Sequence, residues 1–236
     1  MDNIKIKYIG HSTFLITTQS GKKIIIDPWL NDNPSSSEDV GTIGEINYIL
    51  ITHGHFDHVG DTLDIIKNNP NSTTIANFEI GQWLEKKGGV NISPMSHGGT
   101  QYFEDFKVSM VNAVHGSGIS DANSENLVYG GIASGLILKF NDDFSIYHAG
   151  DTSIFGDMSL ISDIYKPDLC MIPIGDHFTM GVEEAVYATK LIKARTYIPI
   201  HYGTFPVLIG DPDDFKERVE SHGNSKVIIM NPGDEI

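Results

Sequence analysis

Four side chains that can bind a metal ion lie between His53 and His58, directly after the apolar run Ile46–Ile51. They are spaced as H-x-H-x-D-H. Because His53 and His55 are two residues apart, an extended backbone points both imidazoles to the same side. Asp57 and His58 follow at the predicted first turn of a helix. The chain must therefore fold so that a buried strand ends in a turn that gathers all four side chains.

Imidazole and carboxylate groups are suitable ligands for zinc, manganese or iron. A polar loop that happens to be rich in histidine is the alternative, but three histidines and an aspartate at this spacing favour a metal site. Cys170 is the only cysteine, which excludes an intrachain disulfide and a thiolate metal cluster. It lies in the apolar run Leu169–Ile174, so we expect a buried core thiol.

The charge of the chain disfavours several classes of partner. Acidic residues outnumber basic ones by 31 to 16, which gives a formal charge of −15. DNA binding is not expected, because phosphate contacts depend on clustered Lys and Arg. No apolar run approaches the ~20 residues of a membrane span, and the first residues do not resemble a signal peptide. We therefore predict a cytoplasmic protein with no membrane association.

Hydrophobic periodicity predicts strands and helices that alternate along the chain. No linker or low-complexity tract divides residues 1–236, so we expect one domain built of two α/β halves. Two polar stretches, Asn31–Asp39 and Gly116–Gly131, are predicted loops. The predicted strands are Ile4–Tyr8, Ser12–Thr18, Lys22–Ile26, Ile46–Ile51, Lys107–Val114, Gly135–Phe140, Phe144–Tyr147, Leu169–Ile174, Tyr197–Ile200 and Lys226–Met230, and the predicted helices are Asp61–Asn69, Phe78–Lys87, Gly181–Ala194 and one that begins at Asp211–Pro212.

The segment His53–His58 resembles the signature of the metallo-β-lactamase superfamily. The further motifs of that superfamily are matched in order by Asp27, His115, Asp151 and His201, each of which comes after a predicted strand. Each of these residues, taken alone, is also compatible with a loop or turn. Together they extend the resemblance over the whole chain. It implies a four-layer αββα sandwich with helices outside two facing sheets and the metals at one sheet edge.

Five short motifs resemble a smaller group within this superfamily. That group consists of metal-dependent hydrolases, mostly of unassigned substrate, that are related to the L-ascorbate-6-phosphate lactonases. The matching segments are Gly10-His11-Ser12, Ile26-Asp27-Pro28-Trp29, His148-Ala149-Gly150-Asp151-Thr152, Gly175-Asp176-His177-Phe178-Thr179-Met180-Gly181 and His201-Tyr202-Gly203-Thr204-Phe205-Pro206.

The resemblance implies two divalent metal ions, with zinc favoured and manganese or iron as alternatives. A carboxylate that binds both ions would relieve their mutual repulsion. The implied ligands are His53, His55 and His115 for the first ion and Asp57, His58 and His201 for the second, with Asp151 bridging both.

The implied reaction is hydrolysis by a hydroxide that bridges the two metals. The expected substrate is a small molecule with an ester, lactone or phosphodiester bond. Asp57 is also a candidate proton shuttle, and His11 and His177 are candidates to bind substrate or to protonate a leaving group. Hydrogen-bonded loop histidines are the alternative for His11 and His177. Asp27 and His148 are expected behind the ligands, where they would orient them.

Three other functions are compatible with these residues. An RNA or nucleotide phosphodiesterase is one, although the negative charge weakens it. A non-hydrolytic, iron-dependent redox protein is another. A binding or regulatory protein with a structural metal is the third, although structural zinc sites are usually closed by four protein ligands. The lactonase relatives assemble into oligomers, so self-association into a homo-oligomer is a further expectation.

Overall fold

The computed structural model describes residues 4–223 and 225–236. Fifteen strands and six helices lie in these residues. In chain order they are β1 (Lys5–Gly10), β2 (Thr13–Thr17), β3 (Lys23–Ile26), β4 (Tyr48–Leu50), α1 (Phe56–Val59), α2 (Thr62–Asn68), β5 (Thr73–Asn77), α3 (Phe78–Lys86), β6 (Ile92–Met95), β7 (Thr100–Tyr102), β8 (Phe106–Asn112), β9 (Gly118–Ile119), β10 (Val128–Tyr129), β11 (Ser134–Phe140), β12 (Ser145–His148), α4 (Met158–Tyr165), β13 (Leu169–Pro173), α5 (Val182–Ile192), β14 (Thr196–Ile200), α6 (Pro212–His222) and β15 (Lys226–Val227).

The chain divides into two compact units. The first unit is formed by residues up to Ser96, by Gly116–Ala133 and by Asn231–Ile236. The second unit is formed by His97–His115 and Ser134–Met230. Each unit contains one large sheet and its own helices, which confirms the predicted mixture of α and β structure.

The sheet of the first unit has six strands in the order β1-β2-β3-β4-β5-β6. Three consecutive isoleucines, Ile24–Ile26, are fully buried, as expected for a strand covered on both faces. On one face, Ile25 packs in a cluster with helix residues such as Ile65 and Leu84. Strands β3 to β6 are parallel, and β1 runs in the same direction because β2 is antiparallel to both β1 and β3.

This direction places candidate site residues at one edge of the first sheet. The carboxyl ends of strands that run the same way lie at the same edge. His11 directly follows β1, and Asp27 directly follows β3. The segment that contains His53 follows β4. The shared direction of β1, β3 and β4 therefore brings three distant parts of the first unit to the same edge.

The sheet of the second unit has seven strands in the order β15-β14-β13-β12-β11-β8-β7. Helix residues such as Ala185, Met158 and Phe215 pack in one buried cluster with Tyr147 and Ile172 of the sheet. Strands β12, β13, β14 and β15 are parallel, and β8 runs the same way because β11 is antiparallel to both β8 and β12.

The second unit repeats the same arrangement of site residues. His115 lies three residues beyond β8, and Asp151 lies three residues beyond β12. His201 directly follows β14. Each is thus placed at the carboxyl edge of the second sheet.

Several elements differ from the sequence prediction. Helix α4 (Met158–Tyr165) and strands β5, β6 and β7 were not predicted. The predicted loop Gly116–Gly131 contains the short hairpin β9–β10. The predicted strand Lys226–Met230 is shorter in the structure, where only Lys226 and Val227 pair in register with β14. The buried position of Cys170 is confirmed, and burial raises the pKa of its thiol.

None of the helices in the described residues is both long and apolar enough to span a membrane.

Candidate metal centre

Two histidines of the first unit turn their ring nitrogens towards each other. Nε2 of His53 lies 3.0 Å from Nδ1 of His55. Two imidazole nitrogens bound to one tetrahedral zinc ion lie about 3.3 Å apart, given Zn–N distances of about 2.0 Å. His53 is fully buried and His55 is half-buried. This pair of donors therefore fits a single metal ion.

Asp27 organises the turn that carries these histidines. Its two carboxylate oxygens accept hydrogen bonds from the backbone N–H of Thr52, at 2.8 Å, and from the Thr52 hydroxyl, at 2.7 Å. The second of these oxygens also lies 2.8 Å from Nδ1 of His58. Because a carboxylate only accepts, His58 donates its Nδ1–H and presents Nε2.

Thr52 fixes the tautomer of His53 in the same way. Its Oγ1 lies 3.0 Å from Nδ1 of His53. Since the hydroxyl proton is donated to Asp27, Oγ1 accepts the Nδ1–H of His53, and Nε2 of His53 is left for a metal. Asp27 thus fixes the tautomers of two histidines, one directly and one through Thr52. This arrangement is what an orienting residue behind the ligands requires.

Asp27 itself has an unusual backbone conformation, with φ of 47°. L-residues adopt this left-handed region rarely, although aspartate tolerates it better than most. His11 and His201, the other two candidate residues that directly follow strands, share it, with φ of 58° and 54°. Such conformations cluster at functional sites, where a side chain must leave the end of a strand in a set direction.

The imidazole of His11 contacts the carboxylate of Asp57 in the first unit. Its Nε2 is 3.1 Å from Oδ2 of Asp57, and the histidine is fully buried. The Trp29 ring packs edge-on against it at a centroid distance of 5.1 Å. Ligand atoms of His11, Asp57 and His58 lie within 4.8 Å of one another. His11 is therefore placed to orient the carboxylate of Asp57.

The hairpin β9–β10 packs against the ligand turn in the first unit. The backbone N–H of Gly54 donates to Oγ of Ser117 at 3.0 Å, and that hydroxyl donates to the carbonyl of Gly130 at 2.7 Å. A Cβ atom at Gly54 would lie 2.6 Å from the Ile119 side chain. Glycine is required here because the hairpin approaches the backbone so closely.

The second unit contains a carboxylate between two histidines. Oδ2 of Asp151 lies 3.0 Å from Nε2 of His201 and 3.5 Å from Nε2 of His115. Asp151 and His201 are almost fully buried, and His115 is half-buried. A buried carboxylate with an imidazole on each side has the donor set of a metal site rather than that of a surface turn.

Backbone contacts hold Asp151 and His115 together. Nδ1 of His148 accepts the backbone N–H of Gly150 at 3.2 Å, which holds the turn that precedes Asp151. The hydroxyl of Thr152 accepts the N–H of Val114 at 3.0 Å. The residues adjacent to Asp151 and His115 are thereby joined. The predicted position of His148 behind the site is consistent with this contact.

Close backbone packing holds the segment around His201, and burial changes the pKa of the neighbouring Tyr202. A Cβ atom at Gly175 would lie 1.9 Å from the carbonyl oxygen of His201, so this close approach requires glycine. Burial, followed by the nearby charge of Asp213, raises the pKa of Tyr202 to about 12. The neighbouring phenol is therefore neutral at physiological pH.

His177 is placed differently from the other candidates. It is exposed, its backbone N–H donates to Oδ1 of Asp176 at 2.7 Å, and its ring packs edge-on against Phe178. Within the described residues, neither of these contacts joins it to Asp151 or His201. Its role as a substrate-binding or proton-donating residue stays a prediction.

Sequence reasoning missed Thr52, Ser117 and Thr152. Each acts through its side-chain hydroxyl. The hydroxyl of Thr52 donates to Asp27, that of Ser117 accepts the N–H of Gly54, and that of Thr152 accepts the N–H of Val114. Thr52 and Thr152 stand next to His53 and Asp151, so their positions in the motifs were the available signal. Ser117 offered none, because its contact with Gly54 joins residues far apart in the sequence.

Comparison with known proteins identifies the family. Residues 22–202 match the family model of the β-lactamase superfamily domain. The chain belongs to this superfamily. Within the superfamily it is similar to a UPF0173 metal-dependent hydrolase from Koribacter versatilis, 45% identical over 99% of this chain and 98% of the relative. A UPF0173 metal-dependent hydrolase from Methanosarcina barkeri is 44% identical over 100% of this chain and 99% of that protein.

A solved structure agrees with this assignment. The metallo hydrolase Igni18 from Ignicoccus hospitalis superposes with a TM-score of 0.87 at 34% identity, covering 99% of this chain and 97% of that one. The predicted superfamily, fold class and enzyme class are confirmed: the chain is a metal-dependent hydrolase of the β-lactamase superfamily. The relation to the ascorbate-phosphate lactonases stays a prediction.

Proposed function

We propose that this hydrolase uses two divalent metal ions to cleave an ester or lactone bond of a small molecule. The observation that carries the proposal is the pair of largely buried donor clusters, His53 to His58 in the first unit and His115, Asp151 and His201 in the second. Membership of a metal-dependent hydrolase family supports it. A phosphodiester bond is the alternative, since the same donors suit both reactions.

The proposed ligands follow from the donor atoms within each unit. Imidazole and carboxylate groups supply every donor, a set that suits zinc and also manganese or iron. Asp151 is suited to bind both ions, because one of its oxygens already lies near two imidazoles. We assign His53, His55 and His115 to one ion and Asp57, His58 and His201 to the other, with Asp151 shared.

Bound at these residues, two metal ions would supply the Lewis acidity that activates water and stabilises negative charge on the substrate oxygen. Asp27 and Thr52 hold the neutral tautomers of His58 and His53 in which Nε2 can bind a metal. Asp57 is the candidate that moves a proton to the leaving group, and the contact from His11 holds its carboxylate in place.

Metal content and substrate range test the proposal together. Protein stripped by mild chelation and reconstituted with zinc or manganese is expected to hold close to two ions per chain by elemental analysis. A reproducible value of zero under metal-replete conditions would refute the site. The reconstituted protein is then assayed on lactones, carboxylic esters, phosphodiesters and β-lactams, and hydrolysis of none of them would refute the proposed reaction.

Single substitutions test the assignment of residues. Asp57→Ala and His201→Ala are each expected to abolish hydrolysis while the circular dichroism spectrum is unchanged. Asp64→Ala, which removes an exposed carboxylate on α2, is the matched control and should keep full activity. Full activity in either ligand variant would contradict the assignment.

A further inference from the structure

The candidate site residues all lie in parts of the chain that contain no lysine or arginine. Binding of a phosphate or carboxylate group on a substrate depends strongly on those side chains. The stretches that contain the candidate residues but no lysine or arginine are 8–21, 24–66, 108–138, 140–165, 167–189 and 196–215. A substrate that carries an anionic group away from the cleaved bond would therefore find no cationic side chain in these stretches.

A lysine that reaches the hairpin segment from elsewhere in the first unit is already paired. Nζ of Lys87, at the end of α3, lies 2.6 Å from Oδ1 of Asp121. The indole N–H of Trp83 donates to the other oxygen of Asp121 at 2.8 Å. These contacts fix the Asp121 segment on α3, and the positive charge of Lys87 is used within the protein.

The hairpin β9–β10 is next to the ligand turn and presents apolar side chains to solvent. A Cβ atom at Gly116 would lie 3.4 Å from Nε2 of His55, which places the start of the hairpin segment beside a candidate ligand. Leu127 and Tyr129, on the returning part of the hairpin, are 68% and 70% exposed. A Cβ atom at Gly118 would lie 3.1 Å from the Leu127 side chain, so Leu127 covers the strand that follows Gly116.

A third apolar side chain projects from the ligand turn itself. Phe56 lies between His55 and Asp57 and is 53% exposed. Its ring packs edge-on against Trp29 at a centroid distance of 5.7 Å. Covering such exposed aromatic and aliphatic groups with an apolar ligand would be favourable, because it removes their surface from water.

We propose that Phe56, Leu127 and Tyr129 form a subsite for the apolar group of an uncharged substrate, a carboxylic ester or lactone with an alkyl or aryl substituent. The inference rests on the proposed function and names its substrate class. Water adds to the acyl carbon and the bond from that carbon to the alkoxy oxygen breaks, so the products are a carboxylic acid and an alcohol. Phe56 lies within the ligand turn, and Leu127 packs on the strand that begins beside His55, so the apolar groups are next to candidate ligands. This position favours a small-molecule substrate over a second copy of the chain.

Chain-length dependence of ester hydrolysis tests the subsite. With the metal-reconstituted protein, kcat/KM for p-nitrophenyl esters should rise from acetate to hexanoate by about tenfold or more, since each buried methylene can contribute up to about fourfold. The ratio of kcat/KM for the hexanoate ester to kcat/KM for the acetate ester should fall in Leu127→Ser and in Tyr129→Ser. In each variant it should be about a third of the wild-type ratio or less, chiefly through a higher KM for the hexanoate. The matched controls are Leu160→Ser and Tyr187→Ser, which change exposed residues of α4 and α5 and should keep the wild-type ratio.

A binding measurement separates this inference from the proposed function. Octanamide and acetamide are uncharged and are titrated calorimetrically into wild type and the hairpin variants. Tighter binding of octanamide that is weakened by Leu127→Ser supports the subsite even if no ester is cleaved. Hydrolysis that has the same chain-length ratio in wild type and both hairpin variants overturns the subsite while the function stands. A change of oligomeric state in the hairpin variants without a change in that ratio also overturns it, because the patch would then bind a second copy.

Discussion

Nδ1 of His58 lies 2.8 Å from a carboxylate oxygen of Asp27, and both side chains are fully buried. The two residues are 31 positions apart and meet because β3 and β4 are parallel neighbours. The same carboxylate binds Thr52, whose hydroxyl contacts His53. One buried anion therefore sets the orientation of two candidate ligands.

Loss of this anion should weaken metal binding. In Asp27→Asn, the amide tolerates the left-handed backbone and can still accept from the N–H of Thr52, but it no longer offers a negative charge to His58. Metal affinity, measured by competition with a chelator, should fall by about 10–100-fold. Asp143→Asn is the control, since Asp143 also has a left-handed backbone but is exposed. Equal affinity in Asp27→Asn and wild type would show that Asp27 does not orient the ligands.

Two buried threonines should respond in opposite ways to replacement by valine. Thr52→Val removes the hydroxyl that joins Asp27 to His53 and leaves both groups without that partner. The free energy of unfolding should fall by about 1–3 kcal/mol. Thr74 is also fully buried, but within the described residues its hydroxyl has no hydrogen-bond partner, so Thr74→Val should be neutral or stabilising. Urea unfolding of both variants measures the difference, and equal losses would contradict the proposed bridge.

The candidate ligands were predictable from the sequence in two ways. Local spacing indicated His53, His55, Asp57 and His58, whereas His115, Asp151 and His201 were indicated only by the resemblance to the superfamily. The bridge from Asp27 through Thr52 was not predictable, because it depends on the register of β3 and β4. Hairpin β9–β10 was missed since its strands are two residues long and lie in a polar stretch. Helix α4 was missed because it is short, only eight residues, and begins after an irregular stretch that follows Asp151.

The backbone at His201 should discriminate between side chains even without metal. Its φ of 54° is acceptable for asparagine but unfavourable for a β-branched residue. His201→Asn and His201→Val should both lose metal binding. In chelator-treated protein, we expect His201→Val to be less stable than His201→Asn by about 1–3 kcal/mol. Urea unfolding of the metal-free variants measures this, and equal stability would show that the strand end relaxes without strain.

The stability that Asp121 contributes by holding hairpin β9–β10 on α3 should depend on pH. The hydrogen bond from Lys87, followed by those from the Asn123 backbone and Trp83, lowers the pKa of Asp121 from 3.8 to about 2. Because the folded state favours the ionised form, the stabilisation is complete above the ordinary value of 3.8 and is lost as pH falls through about 2. Asp121→Asn should therefore be less stable than wild type at pH 7 and pH 5, and the difference should shrink below pH 3.8. Urea unfolding at each pH measures it, with Asp32→Asn as an exposed control. A difference that stays constant down to pH 2.5 would mean that the charge of Asp121 does not hold the hairpin on α3.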